Sequence, residues 1–377
     1  LINISDLQTP CLLLELRKLN ANLDRMAQRV DALGVRLRPH AKTAKSIDVL
    51  DRALGSGTGG ITVSTLREAE YFLDHGITDI LYAVAIAPAK LATAADLMRR
   101  GADLKILVES AETARIVSTE GRRAGLRYKA FVEIDSDGHR AGVRPASAEL
   151  LEVADALDGV GAELSGVLTH AGSSYHCDDT AEIARIAASE REAVVRSAEF
   201  LRQAGHSCPE ISLGSTPTIT FASDLAGVTE ARVGVYMFQD LVMAGLGVCA
   251  VEDIALSVLA TIIGHRRDTG APIIDAGWMA LSRDRGTSMQ KIDQGYGIVC
   301  DELGAVLPDM IVVAANQEHG IVGRRDGGMI DPSLFPVGKR LRILPNHACA
   351  TAAAHDAFHV VGPDGTVEAA WPRCRGW

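Results

Sequence analysis

The side chains best suited to chemistry are concentrated in Arg36-Leu37-Arg38-Pro39-His40-Ala41-Lys42-Thr43-Ala44-Lys45. An apolar, β-favouring run (Val35, Leu37) ends in a proline, and His40 and Lys42 follow at period-2 spacing. In extended backbone Arg36, Arg38, His40 and Lys42 project to one side, and Val35 and Leu37 to the other. Neighbouring positive charge lowers a lysine's pKa and leaves the amine nucleophilic near neutral pH, which is what a Schiff-base lysine requires. A solvated basic strand end is the competing reading.

The elements that would position such a lysine recur along the first two-thirds of the chain. Strand candidates fall at Val35–Arg38, Gly60–Ser64, Asp79–Val84, Leu104–Val108, Lys129–Ile134, Gly166–Thr169, Glu210–Leu213 and Ala231–Tyr236. Helical stretches such as Leu16–Leu33, Thr65–Asp74, Pro88–Arg100 and Thr180–Ala204 open the series or separate the strands. Eight strands alternating with helices predict a parallel (β/α)₈ TIM-type barrel. An open doubly wound sheet is the alternative, but no GxGxxG turn follows an early strand.

Barrel enzymes carry their reactive groups at the C-terminal ends of strands. Here Lys42 follows the first strand, Ser64 and Thr65 close the second, and Asp135 to Arg140 follow the fifth. The sixth runs into His170 to Tyr175 and the seventh into Gly214-Ser215-Thr216-Pro217-Thr218; the eighth contains Gly234 and ends at Tyr236. Loops after strands 7 and 8 commonly hold a phosphate. Ser215 and Thr216 offer hydroxyls, and Gly234 admits backbone close to a ligand; read singly, Ser215 and Thr216 are as well explained by a helix cap. A phosphate site opposite a lysine on strand 1 points to pyridoxal 5'-phosphate (PLP), a cofactor needing both.

After about Leu246 the helical spacing gives way to short β-branched runs at Leu256–Ile263, Pro272–Asp275, Ile311–Ala314, Arg340–Leu344 and Phe358–Val361. The predicted organisation is a barrel over 15–246 and a mostly antiparallel β domain over 247–377, joined by residues 1–14. His347 and Cys349 face one way if their segment is extended, as two ligands of one metal should; a buried histidine beside an inert thiol would look the same. Gln317-Glu318-His319-Gly320 is either an acid/base group or an exposed turn.

Composition narrows the function. Of 377 residues, 47% are hydrophobic and 23% charged, an ordinary globular balance, and the net charge of −10 argues against a nucleic-acid scaffold. Charges break every apolar run before it could span a bilayer, and Leu1 to Leu7 show no secretion signal. Seven scattered cysteines without a CxxC pair fit a reduced cytoplasm.

Five ordered motifs resemble a known family: Arg38-Pro39-His40-Ala41-Lys42-Thr43, Gly138-His139-Arg140-Ala141-Gly142-Val143, Thr169-His170-Ala171-Gly172-Ser173-Ser174-Tyr175, Gly214 to Thr218, and Pro345-Asn346-His347-Ala348-Cys349. They are similar to those of fold-type III PLP enzymes of the D-serine dehydratase / D-threonine aldolase group, whose N-terminal domain is like that of alanine racemase. Asp275-Ala276-Gly277-Trp278 and Asn316 to Gly320 look nearest to its hydroxyaspartate dehydratase branch. The resemblance implies that Lys42 holds PLP and that Ser215, Thr216 and Gly234 hold its phosphate, with Tyr236 close by. Arg140 and Tyr175 would lie around ring and substrate, and His170 beside the cofactor. Arg232 stands where some relatives have a neutral side chain, which leaves the ring nitrogen's protonation open.

His347 and Cys349 match the group's metal pair, implying zinc, with manganese or cobalt as alternatives. The implied reaction is dehydration of a D-β-hydroxy amino acid (D-threo-3-hydroxyaspartate, D-serine or D-threonine) to a 2-oxo acid and ammonia. Lys42 would be the Cα base, and the metal a Lewis acid for the β-hydroxyl. Aldol cleavage to glycine and an aldehyde is the rival, then racemisation, and last a non-catalytic PLP carrier. Arg36, Arg38, Lys45, Arg140 and Arg283 are the candidates for a second substrate carboxylate. Family analogy adds a homodimer.

Overall fold

The computed structural model describes residues 2–55 and 60–377, which form two compact units. The first comprises residues 25–234 and 374–377. Its eight strands are β1 (Arg36–Pro39), β2 (Ile61–Val63), β3 (Asp79–Ala85), β4 (Asp103–Val108), β5 (Tyr128–Glu133), β6 (Ala162–Leu168), β7 (Glu210–Leu213) and β8 (Glu230–Val233). They pair in parallel in the order β1-β8-β7-β6-β5-β4-β3-β2. A parallel bridge between His40 and Thr62 joins the two edges and closes the barrel. The predicted eighth strand is too long. β8 stops at Val233, and after Gly234 the chain enters a 3₁₀ turn, Val235–Met237, that carries the buried Tyr236.

Local chemistry explains the alternation. Thr65, Ser110, Ser147 and Asp179 each accept the main-chain N–H three residues on, capping the helices Leu66–Asp74, Ala111–Ala124, Ala148–Ala156 and Thr180–Gln203. Inside the barrel Leu81, Leu107, Phe131 and Leu168, from four consecutive strands, pack as one cluster. Each such side chain contributes roughly 1.5–3 kcal/mol.

The N-terminal end of the barrel is filled with charge. Arg38 is fully buried and donates to Glu230 (2.8 Å) and bidentately to Asp79 (3.0 and 3.2 Å). Lys105 bridges Asp79 and Asp103, and Lys129 donates to Asp103. Arg36 lies 3.6 Å from both Glu210 and Glu230. This corrects the reading of Arg36, Arg38, His40 and Lys42 as one basic cluster. The strand alternation stops after Pro39, and the two arginines are matched by carboxylates at the opposite end of the strand from Lys42.

The second unit comprises residues 2–24 and 235–373. Its sheet is antiparallel apart from the pairing of Cys11–Glu15 with Ala357–Val361. Within it Leu256–His265, Pro272–Ile274, Gly320–Arg324, Val306–Ala315, Ile298–Cys300 and Arg340–Leu344 pair in that order, and the last returns to pair with the first. Leu241, Ile254, Ile298, Cys300, Ile311 and Leu344 pack as its core. Among the described residues no helix is long and apolar enough to cross a membrane, and no disulfide forms.

Candidate active site

Lys42 lies on the turn that leaves β1, with its side chain exposed. Main-chain bonds fix the entry to that turn: His40 N–H donates to Val233 O and Ala41 N–H to Thr62 O, both at 2.7 Å. His40 Nδ1 accepts weakly from Lys42 N–H at 3.4 Å. Burial, then the charges of Lys42 and Arg232, hold the His40 imidazole well below its ordinary pKa.

The loop after β6 brings in His170 and Tyr175, whose rings lie 6.0 Å apart. His170 Nδ1 pairs with Gly214 O at 3.0 Å, so Nδ1 carries the hydrogen and Nε2 is left as an acceptor. Burial lowers this histidine to about 4, and Lys42, Arg140 and Arg232 act in the same direction against the Gly214 bond, so the ring is neutral at pH 7. Arg140, on the loop after β5, is exposed and lies 3.7 Å from Glu133.

Ser215 shows the alternative weighed for it, a helix cap. Its Oγ accepts from Thr218 N–H (3.2 Å) and pairs with Thr218 Oγ1 (3.0 Å) and Ser174 Oγ (3.1 Å), closing a capping box for Thr216–Phe221. One hydroxyl has a single hydrogen and two lone pairs, so the Ser215 side chain is fully engaged. Gly234 behaves as a close-approach glycine: a Cβ there would sit 2.8 Å from Thr43 Oγ1 and 3.2 Å from His40 Cβ. Arg232 is buried behind this rim, donating to Ser212 Oγ and Thr169 O at 2.7 Å each, while Ser212 Oγ donates to Glu230.

The second unit carries the other predicted pair, in a different conformation from the one expected. The segment is not extended at Cys349: His347 is the N-cap of the short helix Ala348–Ala352, and Cys349 is its second residue. Asp240 builds that turn. One of its oxygens accepts Met243 N–H, capping its own helix, and the other accepts Ala348 N–H (2.9 Å each). His347 Nδ1 contacts Asp284 Oδ2 at 2.6 Å, so Nε2 is the ring nitrogen turned away from that carboxylate. Burial disfavours a charge on His347, but Asp284 and the Cys349 thiol outweigh it and raise the imidazole to about 11. Surroundings that hold a proton so firmly suit a cation. Among the described residues no cluster of three or more His, Cys, Asp or Glu could hold a metal. Gln317, Glu318 and His319 form the exposed tip of a hairpin, the second of the two readings left open for them.

Sequence reasoning missed Glu190, Glu68, Asp240 and Asp284. Glu190 left a signal: it lies on the face of Thr180–Gln203 that buries Ile183, Ala187, Val194 and Leu201, where a carboxylate does not belong without a purpose. Its Oε1 accepts Ala171 N–H at 2.8 Å, and Oε2 is buried with no hydrogen-bond partner among the described residues.

A barrel with a lysine after β1, followed by an antiparallel unit with a His–Cys pair, defines a class, and comparison with known proteins agrees. Residues 14–241 match the family described as "Alanine racemase, N-terminal domain", and 255–361 match "Putative serine dehydratase domain". The chain belongs to this family. It is 52% identical over 374 residues to D-threo-3-hydroxyaspartate dehydratase of Delftia sp. (strain HT23), covering 98% of each chain. It is 31% identical to D-threonine aldolase of Arthrobacter sp., covering 98% of this chain and 92% of the other. The solved Delftia structure superposes with a TM-score of 0.98 over 100% of both chains; a cysteine-to-alanine variant of that enzyme, described as the metal-free form, gives 0.98 at 51% identity, again over 100% of both chains.

Proposed function

We propose that this chain is a PLP- and metal-dependent dehydratase that converts a D-β-hydroxy amino acid to a 2-oxo acid and ammonia, with D-threo-3-hydroxyaspartate ahead of D-serine and D-threonine. The observation that carries the reading is 52% identity over the full length of the Delftia dehydratase. Reduced cysteines and the absence of a membrane helix among the described residues support a cytoplasmic enzyme, and the family supports a homodimer.

The barrel residues fit PLP. Lys42 would hold it covalently, and Gly234, where a Cβ would collide with Thr43 and His40, keeps the backbone after β8 close against the turn that carries Lys42. With the Ser215 hydroxyl and N–H both spent on its cap, Thr216 is the phosphate donor of the Gly214–Thr216 turn, with Tyr236 two residues after Gly234 in sequence. His170, Tyr175 and Arg140 would border ring and substrate. Bound there, PLP supplies the sink for the electron pair left at Cα.

Lys42 takes the Cα proton, since its amine is exposed on a fixed turn and burial keeps the neighbouring His40 and His170 neutral. Arg140 receives a substrate carboxylate. Of the basic candidates in the barrel unit, Arg38 and Lys45 are already paired closely with Glu230, Asp79 and Glu68, and Arg36 lies among carboxylates at the opposite end of the barrel, whereas Arg140 keeps a loose partner and an exposed head. His347 and Cys349 hold a divalent metal that supplies Lewis acidity to the departing β-hydroxyl. Thiolate plus imidazole favours zinc, with manganese or cobalt as alternatives.

A panel of the three substrates, scored for ammonia with 2-oxo acid against glycine with aldehyde, tests the reading. Glycine and aldehyde as the main products would establish the aldolase instead.

A further inference from the structure

We propose that Lys45 and Glu68, with the segment Cys374–Trp377, brace the turn that carries Lys42, making Lys45 and Glu68 positioning residues for that lysine. The inference rests on Lys42 being the cofactor lysine.

The turn is held unequally at its two sides. On entry, His40 and Ala41 are bonded to Val233 and Thr62 of the barrel wall. On exit no strand follows, and the chain passes through Lys45 at φ +49°, in the left-handed region. That conformation costs a residue other than glycine on the order of 1 kcal/mol or more. Three interactions hold it. Lys45 N–H donates to Ala41 O at 2.7 Å, which closes the turn around Lys42. Lys45 O accepts Cys374 N–H at 2.6 Å, so the last residues of the sequence return to this point. Lys45 Nζ lies 3.1 Å from Glu68 Oε1.

Glu68 is a firm anchor. It is fully buried, its Oε2 accepts Ser64 N–H at 2.9 Å, and its own N–H donates to Thr65 Oγ1 at 3.0 Å. The carboxylate is thereby fixed to the end of β2. A buried carboxylate is costly unless a cation meets it, and Lys45 is that cation. Glycine would suit the backbone at position 45 better, so a lysine there is explained by the side chain reaching Glu68. The consequence falls on Lys42, whose long side chain is mobile but whose Cα is held from both sides. Covalent capture of an aldehyde is sensitive to such placement, and a displacement of about 1 Å costs about 100-fold.

The test follows the capture of PLP by the full chain after the cofactor has been stripped. Each protein is mixed with PLP, trapped with borohydride at timed intervals, and the labelled peptide is read by mass spectrometry. Reversible PLP affinity and melting temperature are measured in parallel. Wild type is expected to label at Lys42 and Lys42→Ala not at all. The double variant Lys45→Met/Glu68→Gln removes both charges together and leaves neither buried alone. It is expected to melt close to wild type, bind PLP reversibly as wild type does, and label Lys42 about 10- to 100-fold more slowly. Lys45→Met alone, which leaves Glu68 buried without its cation and so melts lower, is expected to slow labelling of Lys42 by the same factor below its melting range if the double variant does not fold. Labelling at the wild-type rate in the folded variants overturns the brace, as does a slowing matched by an equal loss of reversible affinity. Absence of label at Lys42 in the wild type would instead sink the PLP reading, so the two failures are distinct.

Discussion

The two ends of the barrel are built from the same residue types and treat charge in opposite ways. At the N-terminal end Arg38, Lys105 and Lys129 meet Glu230, Asp79 and Asp103 at hydrogen-bond distance. Burial there would raise the aspartates, but Arg38 and Lys105 on Asp79, and Lys129 and Lys105 on Asp103, hold both below the ordinary carboxylate range. At the C-terminal end burial prevails. It pushes His40 and His170 down and Glu133 and Glu190 up, so these groups tend to neutrality. One end locks charge into structure; at the other, the Lys45–Glu68 pair apart, burial strips charge from His40, His170, Glu133 and Glu190, and a bound anion can set the field. The antiparallel unit repeats the contrast on its own scale. Buried Arg342 pairs with Glu15 in a structural contact, while His347 is partly exposed beside Asp284.

That division can be broken by exchanging one residue at a time. Lys42→Ala should give the largest effect, lowering turnover by more than about 10⁴-fold. It should abolish the cofactor chromophore with the denaturation midpoint unchanged, as followed by absorbance and urea titration. Next in size, His347→Ala or exhaustive chelation should cost about 10³-fold in turnover, the several kcal/mol that a Lewis acid supplies. The PLP spectrum should persist. Racemisation without a metal would predict full activity after chelation. Arg38→Met should do the reverse: it strands buried Glu230 and should cost about 3–5 kcal/mol in urea unfolding while KM and kcat, measured where the variant is folded, stay within about two-fold. A large fall in kcat with the stability intact would show that the charged end is part of the site.

The sequence made some of this contrast legible and hid the rest, for physical reasons. Strand periodicity is local, so Glu210–Leu213 and Arg340–Leu344 are found as predicted. Lys42, Gly234 and His347 were visible because each is an unusual residue at a strand end or turn. The role of Arg36 and Arg38 was not, because their carboxylate partners are 41 to 194 positions away along the chain and nothing local marks them. Position along an extended strand also misassigned them, since period-2 alternation says which face a side chain takes and not which end of the barrel it reaches. The short helix at Ala348–Ala352 was missed for a similar reason: its start depends on Asp240, more than a hundred residues earlier.

Glu190 gives the smallest expected effect and the finest test of the contrast. Burial raises its carboxyl to about 7, partly offset by the Ala171 N–H bond and by the nearby Thr218, Arg232 and Gly214. Because its folded pKa lies above the value of about 4.3 for an unfolded glutamate, the folded state binds the extra proton between those limits. Its contribution to stability is therefore complete below pH 4.3 and is lost as pH rises through 7. Glu190→Gln mimics the protonated form and keeps the acceptor for Ala171 N–H. It should leave stability near pH 4.5 almost unchanged and raise it at pH 8 by on the order of 1–3 kcal/mol, flattening the pH profile of urea unfolding. If the C-terminal end strips charge as described, the gain appears only on the alkaline side. A loss at pH 8 would mean that the Glu190 carboxylate is ionised and paired, and that this end too stores charge as the other does.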